Sequence, residues 1–205
     1  MNLDRLLQQH PELQRGRHLV PAPQPAIASG FPLLDRHLPG NGWPHRAITE
    51  LLVSGNGGYA LALLLPALSR LSRKPPWIVL VAPPQIPYAP ALQAHGLDLS
   101  RLLLIRSTRE QERQWALEQA LRCGSCSAVL AWPGRLDMTA LRRLQLAAEA
   151  GDSIGFLLRS SSAAEQASPA ALRLRVEPAV DGWRLDILKR QGGWPMADLM
   201  VTTDH

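Results

Sequence analysis

The stretch from Ala47 to Leu71 constrains the fold more than any other part of the chain. A predominantly apolar run, AITELLV, leads into a glycine turn, SGNGG, and then into a helical pattern with almost no polar side chain. A strand apolar on both faces belongs inside a sheet covered on both sides, and a helix apolar all round belongs in a core. The same alternation continues. Trp77–Ala82, Leu102–Ile105, Ser127–Trp132 and Ile154–Leu158 read as strands, and Ala89–His95, Thr108–Arg122 and Met138–Ala150 as helices. On the helix Thr108–Arg122 the spacing predicts Trp115, Leu117, Ala120 and Leu121 inward. Ser160–Ser168 reads as a mobile loop. After it the pattern shortens and alternates: Leu172–Val176, Trp183–Lys189 and Met196–Val201, with turns at Asp181-Gly182 and Gly192-Gly193, predict antiparallel strands added at the C-terminal end. The class is α/β, with a mainly parallel central sheet flanked by helices.

Size and composition agree. The 205 residues are 46% hydrophobic and 19% charged, enough to bury one full core. Two cysteines exclude a disulfide scaffold. Lys and Arg number 22 against 17 Asp and Glu, a net charge of +5 that permits an acidic partner without requiring one. The N-terminus mixes charges and is broken by Pro11, unlike a signal peptide, and no apolar run reaches membrane-spanning length. The expected location is cytoplasmic. Residues 1–26 read as an N-terminal segment ending in the extended linker PAPQP, and residues 27–205 as the folded domain. Cys123 and Cys126 have the Cys-x-x-Cys spacing of a redox pair or half of a zinc site. A redox motif normally opens a helix, but these stand at the end of a helical pattern with no second Cys/His pair, so they read as small turn residues and no metal site is assigned. The histidines are scattered and carry no role.

Strand, glycine turn and helix together make the layout of a phosphate-binding loop, in which backbone N–H groups and the helix N-terminus converge on an anion. A working loop needs Lys and then Ser or Thr after its last glycine, to reach the phosphates and hold magnesium. In Ser54-Gly55-Asn56-Gly57-Gly58-Tyr59-Ala60 an aromatic ring and a methyl group stand there, and no lysine precedes Lys74. The strand ending at Trp132-Pro133 and the strand ending at Ala82-Pro83-Pro84 carry no acidic residue to hold metal or polarise water. The sequence therefore predicts no catalytic residue, no cofactor and no enzyme activity.

The run IASGFPLLDRHLPGNGWPHRAITELLVSGNGG resembles the opening of the RecA recombinase core, and HGLDLSRLLLIRS, ALRCGSCSAVLAW, ASPAALRLRVEP and ILKRQGGWP extend the likeness over most of residues 27–201. Two degenerate relatives of RecA share these features. The SulA family is similar through LLLPAL, LSRLLLI, ALRCGSCSAVLAW and AEAGDSIGFLLRS. The ImuA family is similar through LPGNGWPHRAITELL, LVAPPQIPYAPAL, EQASPAALRL and LDILKRQGG, and the front turn and tail hairpins favour it. The ImuA resemblance implies an accessory protein of SOS-induced mutagenic translesion synthesis. It would contact a Y-family-like polymerase homologue (ImuB-type) and RecA. The SulA resemblance implies instead a cell-division inhibitor binding FtsZ. A vestigial nucleotide-binding RecA paralogue is the remaining alternative.

Candidate contacts follow. By analogy with the docking element of RecA-like filaments, Leu3, Leu6, Leu7 and Leu13 form an apolar stripe for RecA or a second copy, or else belong to a simple leader. Trp43, Trp183 and Trp194 lie beside Pro or Gly, as partner anchors or as turn residues folded over a sheet edge. Trp77, Trp115 and Trp132 read as core. Arg70, Arg73, Lys74, Lys189 and Arg190 are candidates for weak DNA contact, or for helix-end and turn cations.

Overall fold

The computed structural model describes residues 25–73 and 76–203. Its centre is β3 (Ala47–Val53), in which all seven residues are buried. Leu51 and Val53 point into one core cluster and Ile48 into another, so this strand is covered on both faces as its apolar run predicts. It leads through the glycine turn into α2 (Gly58–Ser72). Ahead of it lie β1 (Ala26–Ile27), α1 (Pro32–Asp35) and β2 (Trp43–Pro44), with β1 and β2 paired antiparallel. After α2 come β4 (Trp77–Val81), α3 (Ala89–Ala94), β5 (Leu102–Ile105), α4 (Glu110–Arg122), β6 (Cys126–Ala131), α5 (Met138–Ala150) and β7 (Ile154–Ser160). The tail supplies β8 (Leu172–Ala179), β9 (Gly182–Arg190) and β10 (Met196–Thr202).

Eight strands form one sheet in the order β10-β9-β8-β3-β7-β6-β4-β5. From β8 to β5 every neighbour is parallel, and β9 and β10 extend the other edge antiparallel. The fold is thus mixed α/β, with a large sheet flanked by helices. One tail expectation changes: β8 joins β3 in parallel, from Thr49 against Leu172 to Val53 against Val176, so only the last two strands are antiparallel. α2 covers one face through Leu63, Leu64 and Leu68, over Leu51, Phe156 and Leu174. On the other face Leu117 and Leu121 of α4 and Leu141 and Leu144 of α5 cluster with Ile48, Val79 and Leu157. The two helices are tied by Glu118, which accepts from Arg143 at 2.8 Å and from Arg122 at 3.1 Å. Among the described residues, no helix is long and apolar enough to cross a membrane.

Two further expectations change. Trp115 is 67% exposed, because it lies off the stripe formed by Leu117, Ala120 and Leu121. The serine-rich segment is a 3-10 helix, Ser161–Glu165, held from below by charge. Glu50 in β3 is fully buried and takes both Arg159 of β7 and Arg173 of β8 as partners. Arg173 also donates to the carbonyls of Ala163 (2.6 Å) and Gln166 (2.9 Å), while Arg159 donates to the Gln166 side chain (3.0 Å). These contacts pin the segment that the serine-rich composition marks as a loop.

A buried ion network of this kind costs a great deal when one member is removed, since the remaining charges lose their compensation. Glu50→Gln leaves two interior guanidinium groups facing a neutral amide and is expected to lower the unfolding free energy by about 3–5 kcal/mol. Urea denaturation followed by far-UV circular dichroism measures the loss, and a change within error of zero contradicts this role.

Candidate functional site

The glycine turn sits where β3 ends and α2 begins. Gly57, the residue before the helix, has φ of +67°, and a Cβ there would lie 2.6 Å from Val53 Cγ2, so this corner requires glycine on two counts. The Asn56 side chain accepts the Gly58 N–H at 3.1 Å. The hydroxyl of Tyr59 accepts the Ser54 N–H at 2.9 Å and donates to the Val176 carbonyl of β8 at 3.0 Å. Two indoles fasten the turn from other strands. Trp132, just beyond β6, donates from Nε1 to the Asn56 carbonyl at 3.3 Å, and Trp183 of β9 donates to the Tyr59 carbonyl at 3.0 Å.

Two amide donors that a phosphate loop would turn toward an anion, those of Ser54 and Gly58, are therefore already hydrogen-bonded within the protein. Tyr59 stands in the place of the lysine and Ala60, fully buried, in the place of the metal-binding hydroxyl. The geometry makes the turn a structural joint, cross-braced by three aromatic side chains. Among the described residues no group of three or more His, Cys, Asp or Glu is arranged to hold a metal ion.

The other sequence-derived candidates are dispersed. Trp43 has no exposed surface and packs edge-on against Phe156 with ring centres 5.5 Å apart, so it is a core residue and not a surface anchor. Trp183 is likewise buried, edge-on to Phe31 at 5.5 Å, and serves the glycine turn instead of a partner. Trp194 is 85% exposed and alone of the three remains accessible. Trp77 and Trp132, read as core, are only partly covered. Leu3, Leu6, Leu7, Leu13 and Lys74 lie outside the described residues.

Three of the candidate cations, Arg70, Lys189 and Arg190, face protein carbonyls. Arg190 donates to Trp194 (2.9 Å) and to His37 (2.6 Å), closing the β9–β10 connection over the front of the chain. Lys189 donates from Nζ to Ser168 at 2.7 Å. Burial, reinforced by the nearby Arg173 charge, holds its ammonium below the ordinary lysine range. Arg70 reaches the Ala28 carbonyl at 3.2 Å, and Arg73 is the exposed C-cap of α2. The sequence reading missed the bracing role of Tyr59 and the Glu50 network. A single carboxylate inside AITELLV was the available signal for the latter. It also missed a groove of about 640 Å³ lined by Phe31, Leu33, Ala62, Pro66, His95 and Trp183.

Known proteins are similar to this central region. The family model described as "Cell division inhibitor SulA" matches residues 47–155, from the first residue of β3 to the second residue of β7. The cell division inhibitor SulA of Pectobacterium atrosepticum is 33% identical over 121 residues, spanning 58% of this chain and 72% of the relative. That of Yersinia enterocolitica is 34% identical over 112 residues, spanning 55% of this chain and 67% of the relative. The crystal structure of SulA from Pseudomonas aeruginosa matches at 31% identity with a TM-score of 0.48, covering 55% of this chain and 97% of that one. The family match and the two sequence relatives overturn the expectation of a mutagenesis accessory that contacts a Y-family-like polymerase homologue and RecA. The front segment and the tail strands, taken as favouring the ImuA resemblance, lie outside the residues the family model matches and so do not argue against a SulA-type core.

Tyr59→Phe removes one hydroxyl and leaves the Ser54 N–H and the Val176 carbonyl without their partner. The expected cost is about 1 kcal/mol in unfolding free energy. Faster amide exchange confined to the glycine turn should accompany it, measured by hydrogen–deuterium exchange; unchanged exchange at Ser54 would contradict the bracing role.

Proposed function

The chain belongs to the SulA family, and from that membership we propose that it inhibits bacterial cell division by binding the division GTPase FtsZ. The observation that carries this reading is the family match over residues 47–155, joined by relatives that share a third of their residues over two thirds or more of their length. On this reading the protein acts in the cytoplasm, as part of the SOS response to DNA damage, and works by occupying a surface.

We further propose that it is not an enzyme and that its framework is a RecA-type core emptied of catalytic groups. The glycine turn supports this. Phosphoryl transfer relies on a lysine and a metal ion to stabilise charge on the transferred group, and here Tyr59 and Ala60 occupy those positions while Ser54 and Gly58 donate inward. Trp194, exposed on the β9–β10 connection, offers the large, stiff apolar surface that anchors protein interfaces.

Sedimentation of FtsZ polymers in the presence of GTP tests the proposal directly. Polymer mass should fall in proportion to added protein, and a pull-down should retain FtsZ. ATP turnover should stay at background both for the natural chain and for a Tyr59→Lys, Ala60→Thr variant, since the acidic residues are missing as well. Undiminished FtsZ assembly at excess protein would sink the reading.

A further inference from the structure

The turn between α4 and β6 holds a pair of thiols that the functional reading does not use. Cys123 is the C-cap of α4 and is exposed, while Cys126 opens β6 and is 7% exposed. Their sulfurs lie 3.5 Å apart, within reach of each other. Between them Gly124 has φ of +68° and nothing within 4 Å of the place where a Cβ would sit, so the turn folds back tightly while its outer side stays open to solvent.

We propose that Cys123 and Cys126 form a site of reversible oxidation, closing an intramolecular disulfide under oxidants of the peroxide or glutathione-disulfide class. A disulfide needs sulfurs about 2.05 Å apart. From 3.5 Å, closure requires an approach of about 1.5 Å. The pair is asymmetric. Burial and the adjacent Cys123 push the Cys126 thiol up to about 12, so the reaction starts at exposed Cys123.

With glutathione disulfide, the Cys123 thiolate attacks one sulfur, the S–S bond breaks, and one glutathione thiolate leaves. The Cys126 thiol then attacks the Cys123 sulfur and expels the second glutathione thiolate, which takes up the Cys126 proton. Two protein thiols are oxidised by two electrons and one glutathione disulfide is reduced to two thiols. The closed bond would lock the start of β6. There Ser125 accepts the Trp77 N–H at 2.8 Å and Cys126 lies opposite Trp77, so the exposed β4–β5 edge is the part of the surface nearest the change.

Incubation of the full chain with glutathione disulfide, followed by tryptic mapping under non-reducing conditions, decides the matter. The peptide 123–135 should lose two hydrogens and regain them with dithiothreitol. Cys126→Ser should retain glutathione on Cys123, and Cys123→Ser should leave Cys126 unmodified over the same period. A stable glutathione adduct on Cys123 in the natural chain, two unoxidised thiols, or a disulfide-linked dimer would each overturn the proposal. The assay reads sulfur chemistry alone, so its result stands apart from FtsZ binding.

Discussion

Glu50 sits at the centre of the largest sheet with no solvent contact, and its charge is matched by two arginines from the strands on either side. A carboxylate in that position is tolerable only if both neighbours take their places, because an unpaired interior charge costs far more than the pair contributes. The network therefore does more than add stability. It couples β7, β3 and β8 and extends through Arg173 to the carbonyls of the segment that links β7 to β8. The crossover from β7 to β8, two parallel strands on either side of β3, is held by charge where composition would suggest slack.

A second set of contacts acts on the opposite side of the same strand. At the end of β3 the polypeptide keeps the shape of a phosphate loop, but Tyr59, Trp132 and Trp183 turn its polar groups toward β8, β6 and β9. The Tyr59 hydroxyl bridges one donor and one acceptor, the Ser54 N–H and the Val176 carbonyl, so these polar groups find their partners within the protein. The turn is thereby braced from three other strands. This suits a protein whose proposed work is to present a surface.

Much of the architecture was legible from local pattern. The bounds of β3, β5 and α5 match the apolar runs residue for residue, and the other principal elements differ by one to three residues at their ends. The missing lysine and hydroxyl were visible as absences at a defined place in a strand–turn–helix layout. Trp43 and Trp183, by contrast, lie beside Pro or Gly and read as surface turns. Both are buried because Phe156 and Phe31 close over them from distant parts of the chain. Lys189 and Arg190 looked like free cations in a hairpin, yet their acceptors are Ser168, His37 and the nearby Trp194.

The amino-acid sequence by itself determined the order of strands and helices, the double-sided burial of the central run, and the absence of Lys and then Ser or Thr after the last glycine of the turn. Each follows from residues within one element, where hydrophobic periodicity and turn chemistry act over a few positions. Only the tertiary structure decided which polar groups would find one another. Glu50 meets its arginines across 109 and 123 residues, and Tyr59 meets Val176 across 117. Partners so far apart are chosen by sheet order and register, which no local pattern encodes.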